Sequence, residues 1–310
     1  MGLVVGIPRA LFYYRYYPIW ERFFRELGAT VVCSPPTSRA IVDMGARECI
    51  AEACIPIKLY HGHVAALLDK VDVLFIPRLV SVRPKAVFCP KFLGLPDMVK
   101  NSFKHLPRVI DVRVDLRRGP FELLRVAEAV ARCIGAGRSR ALYALWSALR
   151  TLKSGYPSAQ PPAEGDLRVA VVGYPYEVHD PYVNVGTLEK LRSLGVVPVT
   201  VEDLSQRTLN SAPNPLRKHL FWTWSEDTVH AAEYFFQTKS VDGVIHVTAF
   251  GCGPDAIVNK CLEIESKKTG AVPFMTLMID EHTGDAGVRT RLEAFVDMIR
   301  RQRSVAGCRS

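Results

Sequence analysis

One rhythm, begun twice, governs what this chain can fold into. Short apolar, β-branched stretches alternate with helix-period stretches up to about residue 135, and the alternation restarts near residue 167. Strands are expected over 3–7, 29–33, 73–77 and 108–112, with helices over 17–27, 38–48, 56–70, 94–104 and 120–135. The second series places strands over 167–172, 197–201, 242–247 and 273–278, and helices over 185–194, 226–239, 254–268 and 286–303. Such alternation calls for an α/β fold with mostly parallel sheets, because parallel strands need a crossover long enough to hold a helix.

The two series also open alike. Val4-Val5-Gly6-Ile7-Pro8-Arg9, followed by Tyr13-Tyr14, is echoed by Val171-Val172-Gly173-Tyr174-Pro175-Tyr176. Between them a Pro/Gly/Ser-rich stretch runs from Ser154-Gly155-Tyr156-Pro157-Ser158 through Pro161-Pro162 to Gly165, which reads as a boundary. The expected organisation is an N-terminal α/β lobe over 1–137, a connecting helix and linker over 138–166, and a C-terminal α/β lobe over 167–310. Two Rossmann-like or flavodoxin-like lobes facing each other would make a cleft, and ligands of such sheets gather beyond the carboxyl ends of strands.

Composition narrows the function classes. With 310 residues, 48% hydrophobic and 23% charged, the chain has material for two ordinary domains. No apolar run approaches the ~20 residues of a membrane span, and the N-terminus lacks the basic region and cleavage site of a secretory leader. A soluble, cytoplasmic protein is expected. Eight scattered cysteines do not make a secreted disulfide framework. The net charge of +9 comes largely from Arg dispersed through the middle of the chain (Arg113, Arg117, Arg125, Arg132, Arg138 among them). That is the pattern of a solvated face and not of a nucleic-acid patch, and it suits an anionic cofactor or substrate.

Three of the cysteines stand out. Cys54 lies in Glu52-Ala53-Cys54-Ile55-Pro56, Cys89 in Phe88-Cys89-Pro90-Lys91, and Cys252 in Gly251-Cys252-Gly253-Pro254. Each falls at a break between expected elements, and a Pro follows within two residues, suited to open a helix. Helix N-termini stabilise thiolates and net-anionic groups. Three such thiolates can hold a 4Fe–4S cubane by three irons and leave the fourth open. The competing reading is that each is a buried small hydrophobe, and the spacing contains no local CxxC motif.

Longer strings sharpen the reading. Gly6-Ile7-Pro8-Arg9-Ala10-Leu11, Ser34-Pro35-Pro36-Thr37, Glu52 through His63, Cys89-Pro90-Lys91-Phe92-Leu93-Gly94-Leu95-Pro96-Asp97, Phe250-Gly251-Cys252-Gly253-Pro254-Asp255 and Asp280-Glu281-His282-Thr283-Gly284-Asp285-Ala286-Gly287 resemble the 2-hydroxyacyl-CoA dehydratase superfamily. The nearest likeness is to its branch of small proteins related to the CoA-enzyme activase system, and it covers nearly the whole chain except the linker. The resemblance implies a 4Fe–4S cluster on Cys54, Cys89 and Cys252 between the lobes. It also implies low-potential electrons delivered by an ATP-hydrolysing activator, a homo- or heterodimeric assembly, and an acyl-CoA-type small molecule. On the same ground the chain would be an iron–sulfur lyase or reductase component from anaerobic metabolism. The other cysteines offer no obvious ligand set for a second cubane.

Remaining motifs carry less. Gly251-Cys252-Gly253-Pro254-Asp255-Ala256 fits a dinucleotide fingerprint, yet it follows a third strand, not a first, and no ribose-binding acid stands downstream. No GxxxxGK[ST] occurs, so ATP hydrolysis is not expected of this chain. His61 and His63 point to different faces of one expected helix, which spoils them as a metal pair; a surface or capping role is expected ahead of one of them serving as a proton donor in the cleft. His282, in a loop after a strand, is the best general acid/base candidate, weighed against Asp280 and Thr283 simply capping the next helix. Phe12-Tyr13-Tyr14-Arg15-Tyr16-Tyr17 reads as core packing or a cluster shield, and Arg9 and Arg78 as anion contacts or salt-bridge partners. Two alternatives to the redox reading stay open: a non-catalytic module with structural zinc, and an acyl-CoA-binding protein with inert cysteines.

Overall fold

The computed structural model describes residues 2–152, 167–213, 220–270 and 272–307. They form two compact units, one of residues 2–152 with Phe221–Thr223 and the other of the remaining described residues. The linker expected over 154–165 lies outside the described residues.

The first unit runs β1 (Val4–Ile7), α1 (Tyr13–Glu26), β2 (Thr30–Cys33), α2 (Arg39–Glu48), α3 (Ile55–Ala65), β3 (Val73–Phe75), β4 (Arg78–Ser81), α4 (Pro90–Leu93), α5 (Leu95–Ser102), β5 (Arg108–Ile110), β6 (Arg113–Asp115), α6 (Glu122–Cys133) and α7 (Arg138–Leu152). Its main sheet is fully parallel with order β2-β1-β3-β5, and β4 and β6 form a second parallel pair. The second pair continues the first after a break: Ile76 N–H donates to Ile110 O at 3.0 Å and Arg78 N–H to Val112 O at 3.1 Å. Pro77, between those two donors, has none of its own and interrupts the ladder.

The second unit runs β7 (Leu167–Val172), α8 (Pro175–His179), α9 (Thr187–Ser193), β8 (Val196–Thr200), α10 (Gln206–Ser211), α11 (Thr223–Thr238), β9 (Gly243–Ala249), α12 (Gly253–Thr269), β10 (Phe274–Ile279) and α13 (Asp285–Gly307). Its parallel sheet has the order β10-β9-β7-β8. Read from the other edge, that matches the first sheet. The likeness of Val4–Arg9 to Val171–Tyr176 is therefore a likeness of two units in topology. In each, the chain leaves its first strand to one side and then returns to the other, which creates a switch point beside that strand.

β7 shows why a continuous apolar run is required. Val169 and Val171 join one core cluster with Leu292 and Phe295, while Ala170 and Val172 join another with Phe235 and Val258. Both faces are covered over 169–172, so those four positions are apolar, and the strand's one charged residue, Arg168, sits half-buried near its start. Each fully buried aliphatic side chain here stabilises by roughly 1.5–3 kcal/mol.

Helix 138–152, expected as a connector, belongs to the first unit. Ala141, Ala144 and Ala148 are fully buried along one face of α7. Arg22 Nε donates to Ser147 Oγ at 2.8 Å, Ser147 Oγ to Glu26 Oε1 at 3.1 Å, and Arg140 Nε to Glu26 O at 2.8 Å. The alanine stripe lets α7 approach α1 closely, and that seam makes it a core helix. No described helix is long and apolar enough to cross a membrane.

Candidate functional site

Cys54, Cys89 and Cys252 share one local geometry. Cys54 is the N-cap of α3 (φ −62°, ψ 151°), Cys89 that of α4 (φ −52°, ψ 142°), and Cys252 that of α12 (φ −84°, ψ 103°). Each helix carries Pro in its first two positions, namely Pro56, Pro90 and Pro254. No side-chain hydrogen bond caps any of the three helices. First-turn N–H groups reach the sulfur at two of them, that of Ile57 at Cys54 and those of Lys91 and Phe92 at Cys89.

In the first unit Cys54 and Cys89 occupy one electrostatic neighbourhood with Lys91. Burial pushes the Cys54 thiol up from its ordinary pKa, and the Lys91 ammonium, which hydrogen-bonds it, pulls the other way together with the Ile57 N–H. Burial likewise raises Cys89, opposed by the N–H groups of Lys91 and Phe92 and by the Lys91 charge. Cys89 is itself among the charges that Cys54 feels. Cys49, the C-cap of α2, joins the set: its thiol is raised by burial and couples to Lys58, Cys54 and Lys91. In the sequence Cys49 stands only among the cysteines that offer no obvious ligand set for a second cubane. Phe12 packs edge-on against Phe88 (5.1 Å) and Phe92 (4.9 Å), so this aromatic residue is core beside the Cys89 loop.

The histidines of α3 are buried, contrary to the surface or capping role expected. α3 is enclosed over almost its full length, and His61 and His63 have no exposed surface. His63 Nδ1 pairs with Ser34 Oγ at 2.8 Å and Nε2 with Thr37 Oγ1 at 3.1 Å, while Ser34 Oγ accepts from Arg9 N–H at 2.8 Å. Burial, aided by the Arg9 charge, pushes His63 down to about 3, so it is neutral. His61 Nδ1 is bound to Ile57 O at 2.8 Å and the ring stacks on Phe103. Arg78 forms a fork on Asp97 at 2.7 and 2.9 Å, a salt-bridge partner.

In the second unit Cys252 is buried, at 8% exposure. Tyr174, the residue after Gly173 at the end of β7, lies in its field and in that of Asp255; burial first, then those two groups, holds the phenol well above its usual pKa. Tyr174 Oη bonds Ser225 Oγ at 2.6 Å. Behind them, His246 on β9 spans two acceptors on α12: Nε2 donates to Asp255 Oδ1 at 3.2 Å and Nδ1 to Asn259 Oδ1 at 3.0 Å. Asn259 Oδ1 is fixed as an acceptor by Thr276 Oγ1–H at 2.7 Å. Two acceptors thus face the ring nitrogens, and although burial opposes it, the Asp255 charge and these hydrogen bonds raise the His246 pKa above its ordinary value. Nothing in the sequence marked His246, which sits inside an apolar strand; Asp255 was visible only as part of the Cys252 string.

His282 lies on the loop after β10 with its side chain exposed. Its backbone N–H donates to Asp280 Oδ1 at 2.9 Å, and Thr283 Oγ1 donates to the same oxygen at 2.8 Å. The Asp280–Thr283 pair thus closes a turn ahead of α13.

Among the described residues no group of three or more His, Cys, Asp or Glu could hold a metal ion as they stand. The donor chemistry of Cys54 and Cys89 nonetheless fits an anionic iron–sulfur group: soft sulfur ligands, a neighbouring ammonium and backbone N–H donors turned toward sulfur. Both belong to the first unit, and Cys252 belongs to the second.

A four-stranded parallel sheet in each unit defines an α/β protein of the Rossmann-like class. The chain belongs to the 2-hydroxyacyl-CoA dehydratase-like superfamily: residues 4–204 match the CoA enzyme activase uncharacterised domain (DUF2229), and residues 119–299 match the 2-hydroxyglutaryl-CoA dehydratase D-component. No curated protein matches it. Among solved structures it is similar to the SBP FpvC from Pseudomonas aeruginosa in complex with Mn2+, at 15% identity and a TM-score of 0.30 over 97% of this chain and 98% of that one.

Proposed function

We propose that this chain is a component of the dehydratase type that holds one 4Fe–4S cluster through Cys54, Cys89 and Cys252 and accepts low-potential electrons from an ATP-dependent activator. The observation that carries the reading is the repeated local geometry, three cysteines each at an N-cap with Pro opening the helix behind it. Membership in the family of the dehydratase D-component supports the same assignment.

When bound, such a cluster supplies one-electron chemistry and, at an iron without a protein thiolate, Lewis acidity. The chain's own residues then have defined tasks. Lys91 offsets negative charge beside Cys54. The N–H groups of Ile57, Lys91 and Phe92 hydrogen-bond sulfur, a lever on reduction potential. Phe12, Phe88 and Phe92 keep water from the Cys89 loop. His282 is assigned as the general acid/base on residue type and loop position. An activator protein is the expected partner, an acyl-CoA-type molecule the expected ligand, and a second subunit, of the same or a different chain, the expected assembly.

Anaerobic purification tests this directly. About four iron and four sulfide per chain, with a brown colour bleached by air, are expected. A colourless protein with stoichiometric zinc would replace the redox reading by a structural-metal one.

A further inference from the structure

The connection between α2 and α3 holds a second chemistry. These helices form an antiparallel hairpin of very close approach: a Cβ on Gly45 would stand 1.9 Å from Lys58 O, and one on Gly62 would stand 2.0 Å from Ile41 O. The facing pairs are therefore 41 with 62 and 45 with 58. One further turn of four residues on each helix brings 49 opposite 54, which are the cysteines that cap the two helix ends. Cys49 feels the charge of Cys54, and both lie in the field of Lys91, with Lys58 also acting on Cys49. The loop between them is short, turned by Ala53 N–H to Ile50 O at 3.1 Å, and Ile50, Ala51 and Glu52 are exposed.

We propose that Cys49 and Cys54 form a reversible disulfide, a thiol switch that withdraws Cys54 from metal binding. The co-reactant is a low-molecular-weight disulfide such as oxidised glutathione. Cys49, the less deeply buried of the two, attacks one glutathione sulfur as thiolate and expels the other glutathione as a thiolate. The Cys54 thiolate, steadied by the Lys91 ammonium, attacks Cys49 Sγ and expels the second. The two cysteines give up two hydrogens and two electrons, and one glutathione disulfide becomes two glutathione thiols. A disulfide needs Cα atoms about 4.4–6.8 Å apart, and the register that sets Gly45 against Lys58 and Gly62 against Ile41 carries the two helix ends toward one another. A sulfur held in that bond has no thiolate to offer iron. The disulfide itself does not depend on a cluster; its effect on metal binding rests on the proposed ligand role of Cys54.

Trypsin cleavage after Arg47 and Lys58 releases Glu48–Lys58 with these two cysteines and no other. Metal-free reduced full-length chain, equilibrated with oxidised glutathione, is expected to yield this peptide lighter by two hydrogens, reverting with dithiothreitol. At the same point Cys133 should still be reduced. Cys54→Ser should instead retain a glutathione on Cys49, with an unchanged circular dichroism spectrum showing that the variant is folded. A wild-type peptide that stays reduced, keeps glutathione, or links Cys54 to Cys89 would overturn the proposal. Iron content of the anaerobic reduced protein is a separate readout, so failure of the cluster reading and failure of the switch are told apart.

Discussion

His246 donates from Nε2 to Asp255 Oδ1 at 3.2 Å, with neither side chain exposed to solvent. Burial alone would lower the His246 pKa, but the Asp255 charge and the hydrogen bonds to Asp255 and Asn259 reverse that, and the net shift is upward. A folded-state pKa above the unfolded value of about 6.5 means that the pair stabilises fully below pH ~6.5 and loses that contribution as pH rises through the folded pKa. Unfolding free energy, measured by denaturant titration, should fall across that window in the wild type. Asp255→Ala removes the charged partner of the buried Nε2, leaving only Asn259 on Nδ1, and should cost about 3–5 kcal/mol. A variant as stable as wild type would show that the pair does not hold β9 to α12.

The α2–α3 hairpin depends on two absent side chains. Gly45→Ala and Gly62→Ala place a methyl into a carbonyl oxygen of the facing helix, and backbone cannot turn aside as a side chain can. Each should destabilise by at least ~1–3 kcal/mol, the range for overpacking. Unchanged thermal unfolding in both variants would mean that the hairpin is looser than described.

Asp115 gives the opposite pH limb. Its carboxylate, fully buried, is clamped by Arg117 Nε at 2.8 Å and by Arg113 Nη2 at 2.9 Å. The Arg117 hydrogen bonds, opposed by burial and joined by Arg113, hold it well below the usual carboxylate range. A depressed pKa contributes stability that is present above pH ~3.9 and lost as pH falls below it. Asp115→Asn should flatten the acid side of the stability profile; a variant that denatures along the wild-type acid limb would contradict the clamp.

His282→Ala should leave stability within ~0.5 kcal/mol of wild type, because the imidazole is exposed and the hydrogen bond to Asp280 Oδ1 comes from the backbone N–H, which alanine also supplies. Metal content should also be unchanged. Any loss of turnover in that variant then reports chemistry, whereas a fall in unfolding midpoint would move His282 from mechanism to structure.

How much could be read in advance follows from periodicity. The eight main strands were visible because each is an apolar run covered on one or both faces, and β7 alternates between two cores, Val169 with Val171 and Ala170 with Val172. β4 and β6 were not, since they begin at Arg78 and Arg113, just past the ends of the expected strands 73–77 and 108–112. α7 looked like a connector because its buried stripe is Ala141, Ala144 and Ala148, small residues that mark close helix contact only when the partner helix is known. The Pro-marked cysteines were legible one at a time. Cys49 was not, because its neighbour Cys54 is set by the register of α2 on α3. His246 is invisible in sequence for a similar reason, its partners Asp255 and Asn259 lying on the next helix.

The most direct test of the central claim counts iron in single cysteine variants prepared without oxygen. If Cys54, Cys89 and Cys252 share one cluster, each Ser substitution should strip most of the iron from a still-folded chain, while Cys261→Ser keeps the full complement of about four. Full iron in Cys252→Ser, or equal loss in Cys261→Ser, would contradict it.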